Sequence, residues 1–428
     1  MFQLSNFEYQ FIGALFLGLI WQVLYPLIKH LSVFAGCLFL SLQVLVILKF
    51  DLASYQSLLI IMGLLAIYSF YCNTNTKLAK SATLFSLIAY FTIWFFLKYS
   101  HTFVNYFLFS LKNVLHYDIA LLSDKSDHFY DSISLYPIVG LSFMGFKLIH
   151  FILDKKHGQI SKEKPLEVLA WLFFFPTIIS GPIQRFQDWQ KHRQSPTLSL
   201  KQNITSGLKR VIEGLFLKFV LADQLRELTI ISLTPEQLTH VELLPFLIFC
   251  LLYPLYLYWD FAGYSSLAIG FGHFWGMPLP ENFNFPLSAR NLSEFWNKWH
   301  ITLSLWLKEY LYYPLAVAIK RKPSLRKYPN LIVWLPPLFT FLIAGFWHGA
   351  QIGYILFGLC HGLGLGWIAF LDKNLSPKNQ IVKYWRTSRV SHICAVILNY
   401  LFLSFSLGLF ALSNKHIKVL FERIHVFY

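Results

Sequence analysis

Apolar runs of near-spanning length, separated by short polar loops, fill most of this chain. Strong runs lie near 9–28, 31–50, 56–72, 81–98, 133–153, 241–270, 330–347, 350–371 and 391–413, with weaker ones at 101–117, 166–183 and 206–222. A helix crosses the hydrocarbon core of a bilayer with roughly 20 apolar residues, so the pattern predicts about ten or eleven spanning helices. Further helices are expected to enter without crossing. No repeat relates the two halves, so the inverted-repeat plan of many transporters is not evident.

Three stretches read as broken rather than spanning. "FFFPTIISGPIQRF" (173–186) sets Pro176, Gly181 and Pro182 inside an apolar run. "WDFAGYSSLAIGFG" (259–272) sets Asp260 and three glycines in another. The third is "PENFNFPLSARNLSEFWNKWHITLSLWLKEYLYYPL" (280–315). Irregular backbone at membrane depth is tolerated where it lines a cavity walled by protein.

Composition agrees with the pattern. Hydrophobic residues make up 56% of the 428 and charged residues 13%, about half the charged share of soluble domains. The chain therefore reads as an integral membrane protein. Its first apolar run lacks a basic leader and a small-residue cleavage site, and is expected to stay as an anchor. The net charge of +15 has no domain-sized soluble segment to serve a nucleic acid. It marks cytoplasmic loops and contact with anionic lipid headgroups. On that rule 123–132 and 233–242 face outside, and the basic loops 154–164, 320–327 and 378–389 face the cytoplasm. Segment 166–183, basic on both flanks, and the basic tail 414–423 do not fit this scheme unless some segments dip in and return. The five cysteines, Cys37, Cys72, Cys250, Cys360 and Cys394, have no metal or redox spacing and read as small hydrophobes.

The third broken stretch carries chemistry. "NLSE" (291–294) predicts a helix start, with Asn291 or Ser293 as cap and Glu294 in the first turn. The chain then stays helix-compatible to Tyr313. Trp299, Leu303, Trp306 and Tyr310 share one face. Asn297, His300, Ser304 and Lys308 form a polar stripe on another, at spacings of three, four and four. The plain alternative is an interfacial helix, with an aromatic belt and a snorkelling lysine.

A second histidine follows 48 residues later, in "AGFWHGA" (344–350). His348 lies between long apolar runs, where a neutral imidazole is the form that can take a proton from an alcohol. Gly345 and Gly349 beside it leave room for a substrate chain or a backbone turn. The alternative is a structural histidine at a helix break. His361, in a glycine-rich apolar run, reads as a satisfied core histidine. No zinc spacing, nucleophile elbow or phosphate-binding glycine loop is present.

Four blocks, "LYPIVGLSFMGFKLIHFILD" (135–154), "FFPTIISGPIQRF" (174–186), 258–315 and "GFWHGA" (345–350), together resemble the membrane-bound O-acyltransferases. The likeness is to the bacterial branch of alginate O-acetyltransferases and teichoic-acid D-alanyl transfer proteins. It implies an all-α polytopic membrane fold with re-entrant or interfacial helices around a central funnel. One integral membrane domain over 1–428 is expected: hydrophobic spans in 1–130, a catalytic core at 135–371, and a span with a basic tail at 372–428. The resemblance makes His348 the catalytic histidine of the W-H-G motif. His300, in "WHITLS" (299–304), becomes the second functional histidine.

Such enzymes move an acyl group from a cytoplasmic thioester to a hydroxyl, in this branch usually on a cell-surface polymer. The expected donor is acetyl-coenzyme A or the 4′-phosphopantetheine of an acyl carrier protein. No tightly bound cofactor and no metal is expected. His348 is expected to act as general base, or to assist by hydrogen bonding. His300 would orient a substrate or support the oxyanion. Asn297, Ser304, Trp299, Trp347, Asp260 and Lys308 are the expected substrate contacts. Expected partners are membrane lipids, a carrier protein docking near 320–327, an extracytoplasmic transfer partner and the envelope polymer. The expected location is the bacterial inner membrane. "WLKEY" (306–310) departs from the family's W-L-R-D-Y, and Lys308 lacks the bidentate fork of arginine. Ser266 replaces the family's usual acid. The competing class is a transporter or a lipid or glycan flippase that uses intramembrane His and Asp without acyl transfer.

Overall fold

The structure is a computed structural model that describes residues 141–160, 163–178, 181–194, 198–375 and 388–426. The expected spans and loops before residue 133, Cys37, Cys72 and nearly all of loop 378–389 lie outside those residues. Among the described residues every regular element is helical.

The α-helices longer than four residues, in chain order, are α1 (Leu141–Lys156), α2 (Pro165–Leu172), α3 (Phe186–Gln194), α4 (Leu200–Leu215), α5 (Pro235–His240) and α6 (Leu243–Phe274). They continue with α7 (Leu292–Trp296), α8 (Ile301–Leu307), α9 (Tyr313–Arg321), α10 (Leu331–His348), α11 (Ile352–Asn374), α12 (Arg389–Ala411) and α13 (Asn414–Val426). Four of these, α6, α10, α11 and α12, are long and apolar enough to cross a membrane. They match the runs at 241–270, 330–347, 350–371 and 391–413.

Two compact units result. The first comprises the described residues up to Gly207 together with Gly270–Leu279. Segment 166–183 is no span: α2 stops at Leu172, and Phe175–Thr177 forms a single tight turn. The sequence expectation of a break there holds. Trp171, Phe151 and Phe186 pack edge to edge or tilted in this unit. The buried Lys147 donates to the Trp171 carbonyl at 3.1 Å and to Thr177 Oγ1 at 2.6 Å.

The second unit comprises Leu208–Ile269 and the residues from Pro280 onward. Here one expectation fails. Stretch 259–272 is not broken, because it lies inside the continuous 32-residue helix α6. Its glycines serve close packing instead: a Cβ at Gly263 would sit 2.9 Å from the Lys218 nitrogen and 3.0 Å from the Gly214 carbonyl. Pro254 interrupts the hydrogen-bond ladder of α6, and Tyr400 Oη donates to the nearby Leu251 carbonyl at 2.7 Å.

Helices α10 and α11 pack through small residues. Gly358, Gly362 and Gly366 recur every fourth position along one face of α11. A Cβ at Gly358 would meet the Phe341 carbonyl at 2.5 Å, and one at Gly362 the Leu338 Cα at 2.7 Å. In lipid, such close approach supplies the van der Waals attraction that hydrophobic burial cannot. The room expected beside Gly345 and Gly349 is likewise filled, by the Tyr354 carbonyl and the Tyr354 ring.

Two ends of this helix set are tied off separately. At one, Ile352 N donates to Asn414 Oδ1, His416 Nε2 bonds the Leu233 carbonyl, and Arg423 donates to the Leu238 and Val241 carbonyls. At the other, Lys373 Nζ donates to the Pro329 carbonyl and Asn330 Oδ1. Loops 233–242 and 320–327 thus adjoin opposite ends of this helix set. The basic tail lies at the 233–242 end. Its Arg423 sits against the carbonyls that close α5, where a helix C-terminus favours a cation.

Replacing Gly358 by leucine should force α10 and α11 apart. We expect a loss of about 1–3 kcal/mol, read as a lowered melting temperature in detergent, with Gly358→Ala intermediate.

Candidate active site

The helix predicted over 294–313 begins as expected. Asn291 Oδ1 accepts from Glu294 N at 2.9 Å. Burial alone would push the Glu294 carboxyl up, but hydrogen bonds from Lys298 and Arg290 outweigh it and hold the group down to about 2.

The helix does not continue. It breaks over 297–300, and His300 takes a left-handed conformation, φ 40° and ψ 54°. Such a backbone is costly for a residue with a Cβ and persists only where the surroundings over-determine it. Asn282 supplies that constraint. Its carbonyl accepts from Ile301 N at 2.9 Å. Its side-chain Oδ1 accepts from Thr302 N at 3.3 Å and Thr302 Oγ1 at 2.9 Å, and lies 3.0 Å from His300 Nδ1. Asn282 Nδ2 donates to Ser265 Oγ on α6 at 3.3 Å. Asn284 N takes the Lys298 carbonyl at 2.9 Å, and Ser304 Oγ takes that of Trp299, also at 2.9 Å.

The break corrects the polar stripe. His300 turns inward, 5% exposed, with its ring edge-on to Phe261 at 4.7 Å. Asn297, Ser304 and Lys308 instead line a cavity of about 370 Å³ with Trp296, Thr340 and Asp372. Its lining reaches to the Lys373 end of α11. Thr340 is 3% exposed, and its hydroxyl has no hydrogen-bond partner among the described residues. Lys308 opens a π-helical turn (Lys308–Tyr312) and lies over the Tyr313 ring at 5.8 Å.

The other expected contacts fall elsewhere. Trp299 is core, stacked on Phe295 at 5.4 Å. Asp260 pairs with Lys218 at 2.5 Å. His361 is fully buried: Trp296 Nε1 donates to its Nδ1 at 3.1 Å, so the ring proton sits on Nε2, 3.0 Å from Ser406 Oγ. The sequence reading of His361 as a satisfied core residue fits these contacts. Sequence reasoning missed Asn282, Thr302 and Thr340. Asn282 lies in a loop without periodicity, and nothing in a linear pattern shows that it faces His300.

His348 ends α10, half-buried among aromatic rings: Trp347 at 4.5 Å, Phe410 at 4.8 Å and Tyr354 at 5.9 Å. It lies close enough to His300 for its charge to act there. Burial, then the positive form of His348, lower the His300 pKa from 6.5 to about 3. Among the described residues no group of three His, Cys, Asp or Glu side chains is placed to hold a metal ion.

A family model for the membrane-bound O-acyltransferases matches residues 81–411. The chain belongs to the membrane-bound O-acyltransferase family. It is 29% identical over 288 residues to the teichoic acid D-alanyltransferase of Bacillus subtilis, covering 66% of this chain and 70% of that protein. It is 34% identical over 219 residues to a probable alginate O-acetylase AlgI of Pseudomonas fluorescens, covering 51% and 42%. The peptidoglycan O-acetyltransferase of Helicobacter pylori matches at 32% over 255 residues, covering 53% and 46%. The match thus spans less than half the length of the last two relatives. All three act as acyltransferases by name, and this chain shares their family.

The lowered His300 pKa has a consequence for stability. The folded state resists protonating this ring, so its contribution is present above pH 6.5 and lost progressively as pH falls toward 3. Melting temperature in detergent should decline across that window, and His300→Gln should flatten the decline. An unchanged slope in the variant would contradict the assignment.

Proposed function

We propose that this acyltransferase moves an acetyl or D-alanyl group from a cytoplasmic thioester to a hydroxyl of an extracytoplasmic envelope polymer, in the bacterial inner membrane. The observation that carries the reading is a family match over residues 81–411 that includes both His300 and His348, in a chain whose relatives are named for acetyl and D-alanyl transfer. The donor is carried on coenzyme A or on a carrier protein's phosphopantetheine.

The chemistry follows from the groups present. His348 accepts the proton of the acceptor hydroxyl as its oxygen attacks the thioester carbonyl. The tetrahedral intermediate collapses and expels the thiolate, which takes the proton back from the imidazolium. The ester forms and the thioester breaks, with no redox change. Attack requires the oxygen at about 3–3.5 Å from the carbonyl carbon. The cavity lined by Asn297, Ser304, Lys308 and Thr340 supports a donor chamber. Mostly apolar with a few polar groups, it suits a slender acylated arm. It reaches the end of α11 near the basic 320–327 loop, the side that the charge rule makes cytoplasmic.

His348→Ala should abolish transfer from acetyl-coenzyme A or an acylated carrier to a soluble glycan acceptor, while circular dichroism and melting stay near those of the unaltered protein. Retained transfer would remove His348 from the mechanism.

The exposed Lys320, Arg321, Lys322 and Lys327 give an acidic carrier protein a docking edge. Neutralising these four should raise the KM for a carrier-borne donor several-fold at low salt and leave membrane insertion unchanged. Unaltered kinetics would remove the docking surface.

A further inference from the structure

We infer that Asn282 is a positioning residue that fixes the His300 ring with its proton on Nδ1, so that Nε2 serves the reaction as a hydrogen-bond acceptor. This rests on the reading of His300 as part of the acyl-transfer site.

The orientation of the Asn282 amide is settled by its neighbours. A backbone N–H can only donate, and Thr302 N points at the atom assigned as Oδ1. Were the amide reversed, its NH2 would face that N–H, and two donors would meet in a buried site. Asn282 is 1% exposed, so no bulk water relieves such a clash. The other end of the amide donates to Ser265 Oγ, which can accept. The oxygen therefore faces Thr302 and His300. Facing an acceptor at 3.0 Å, His300 Nδ1 must carry the proton. In the neutral ring Nε2 then holds the lone pair.

This polarity chooses between the two roles expected for His300. Support of an oxyanion needs a donor, and neutral His300 has only one N–H, already committed to Asn282. Orientation of the acceptor hydroxyl needs an acceptor, which Nε2 is. Among titratable groups, His348 acts on this ring, and a positive His348 opposes a second proton on His300. The ring thus stays the neutral, accepting partner of His348.

The left-handed backbone at His300 fits the same purpose. A helix running unbroken through residue 300 would carry the ring on the stripe with Ser304, toward the cavity. The break turns it toward α6, where Ser265 anchors Asn282 and Phe261 meets the ring.

The test reads the tautomer directly, without substrate. The full-length chain, labelled with ¹⁵N-histidine and held in detergent micelles, is examined by two-bond nitrogen–proton correlation, with the His300 signals identified by their loss in His300→Gln. The expected wild-type pattern is a protonated Nδ1 and a bare Nε2. Asn282→Leu should shift His300 toward the Nε2–H form, and Asn282→Asp should keep Nδ1–H while moving the ring's titration toward that of an ordinary histidine. A wild-type ring protonated on Nε2 would overturn the inference. So would an Asn282→Asp protein whose His300 titration is unmoved, a result readable even if Asn282→Leu does not fold. In acyl-transfer assays Asn282→Asp should shift the acid limb of the kcat/KM profile upward, a change that loss of packing alone does not produce. Should the tautomer read as expected while the unaltered protein transfers no acyl group, the failure lies with the proposed activity and not with Asn282.

Discussion

A backbone N–H or C=O that is buried must find its partner inside the protein. The break at 297–300 meets that demand largely through one residue, Asn282. Its backbone carbonyl takes Ile301 N, its side-chain oxygen takes Thr302 N, and Asn284 next to it takes the Lys298 carbonyl. Without these partners the chain would gain by running straight as helix, and His300 would stay on the stripe with Ser304. The position of the second histidine is thus a consequence of backbone hydrogen-bond accounting.

Packing by small residues complements this. Helices α10 and α11 approach through Gly358, Gly362 and Gly366, and α6 meets the chain around Gly214 and Lys218 through Gly263. Close approach of backbones leaves little room for rearrangement, so α10 holds its end residue, His348, firmly among Trp347, Tyr354 and Phe410. The rigid helices carry one histidine and the irregular loop carries the other. A reaction that needs a base and an orienting acceptor in fixed relation is served by that division.

Three histidines of this unit, two buried and one half-buried, show how environment separates roles. His361 has both ring nitrogens committed, to Trp296 and Ser406, and serves the core. His300 Nδ1 is held by Asn282 Oδ1. His348 sits among aromatic rings at a helix end, in the electrostatic reach of His300. Residue type is the same in all three, and the partners decide what each can do.

The sequence by itself determined the helical membrane class, the four described spans, the Asn291 cap and the two histidines of interest. These rest on run length, local capping chemistry and motif residues, which a linear pattern carries. It misplaced His300 on a polar stripe and read 259–272 as broken. Both errors have one cause. Whether glycine or asparagine breaks a helix depends on what lies across from it: Gly214 and Lys218 opposite Gly263 keep α6 whole, while Asn282 opposite His300 stabilises a turn. Only the tertiary structure brought Asn282 to His300, put His300 within the field of His348, and gathered Asn297, Ser304 and Thr340 around one cavity. Those are contacts between segments tens of residues apart, and no periodicity encodes them.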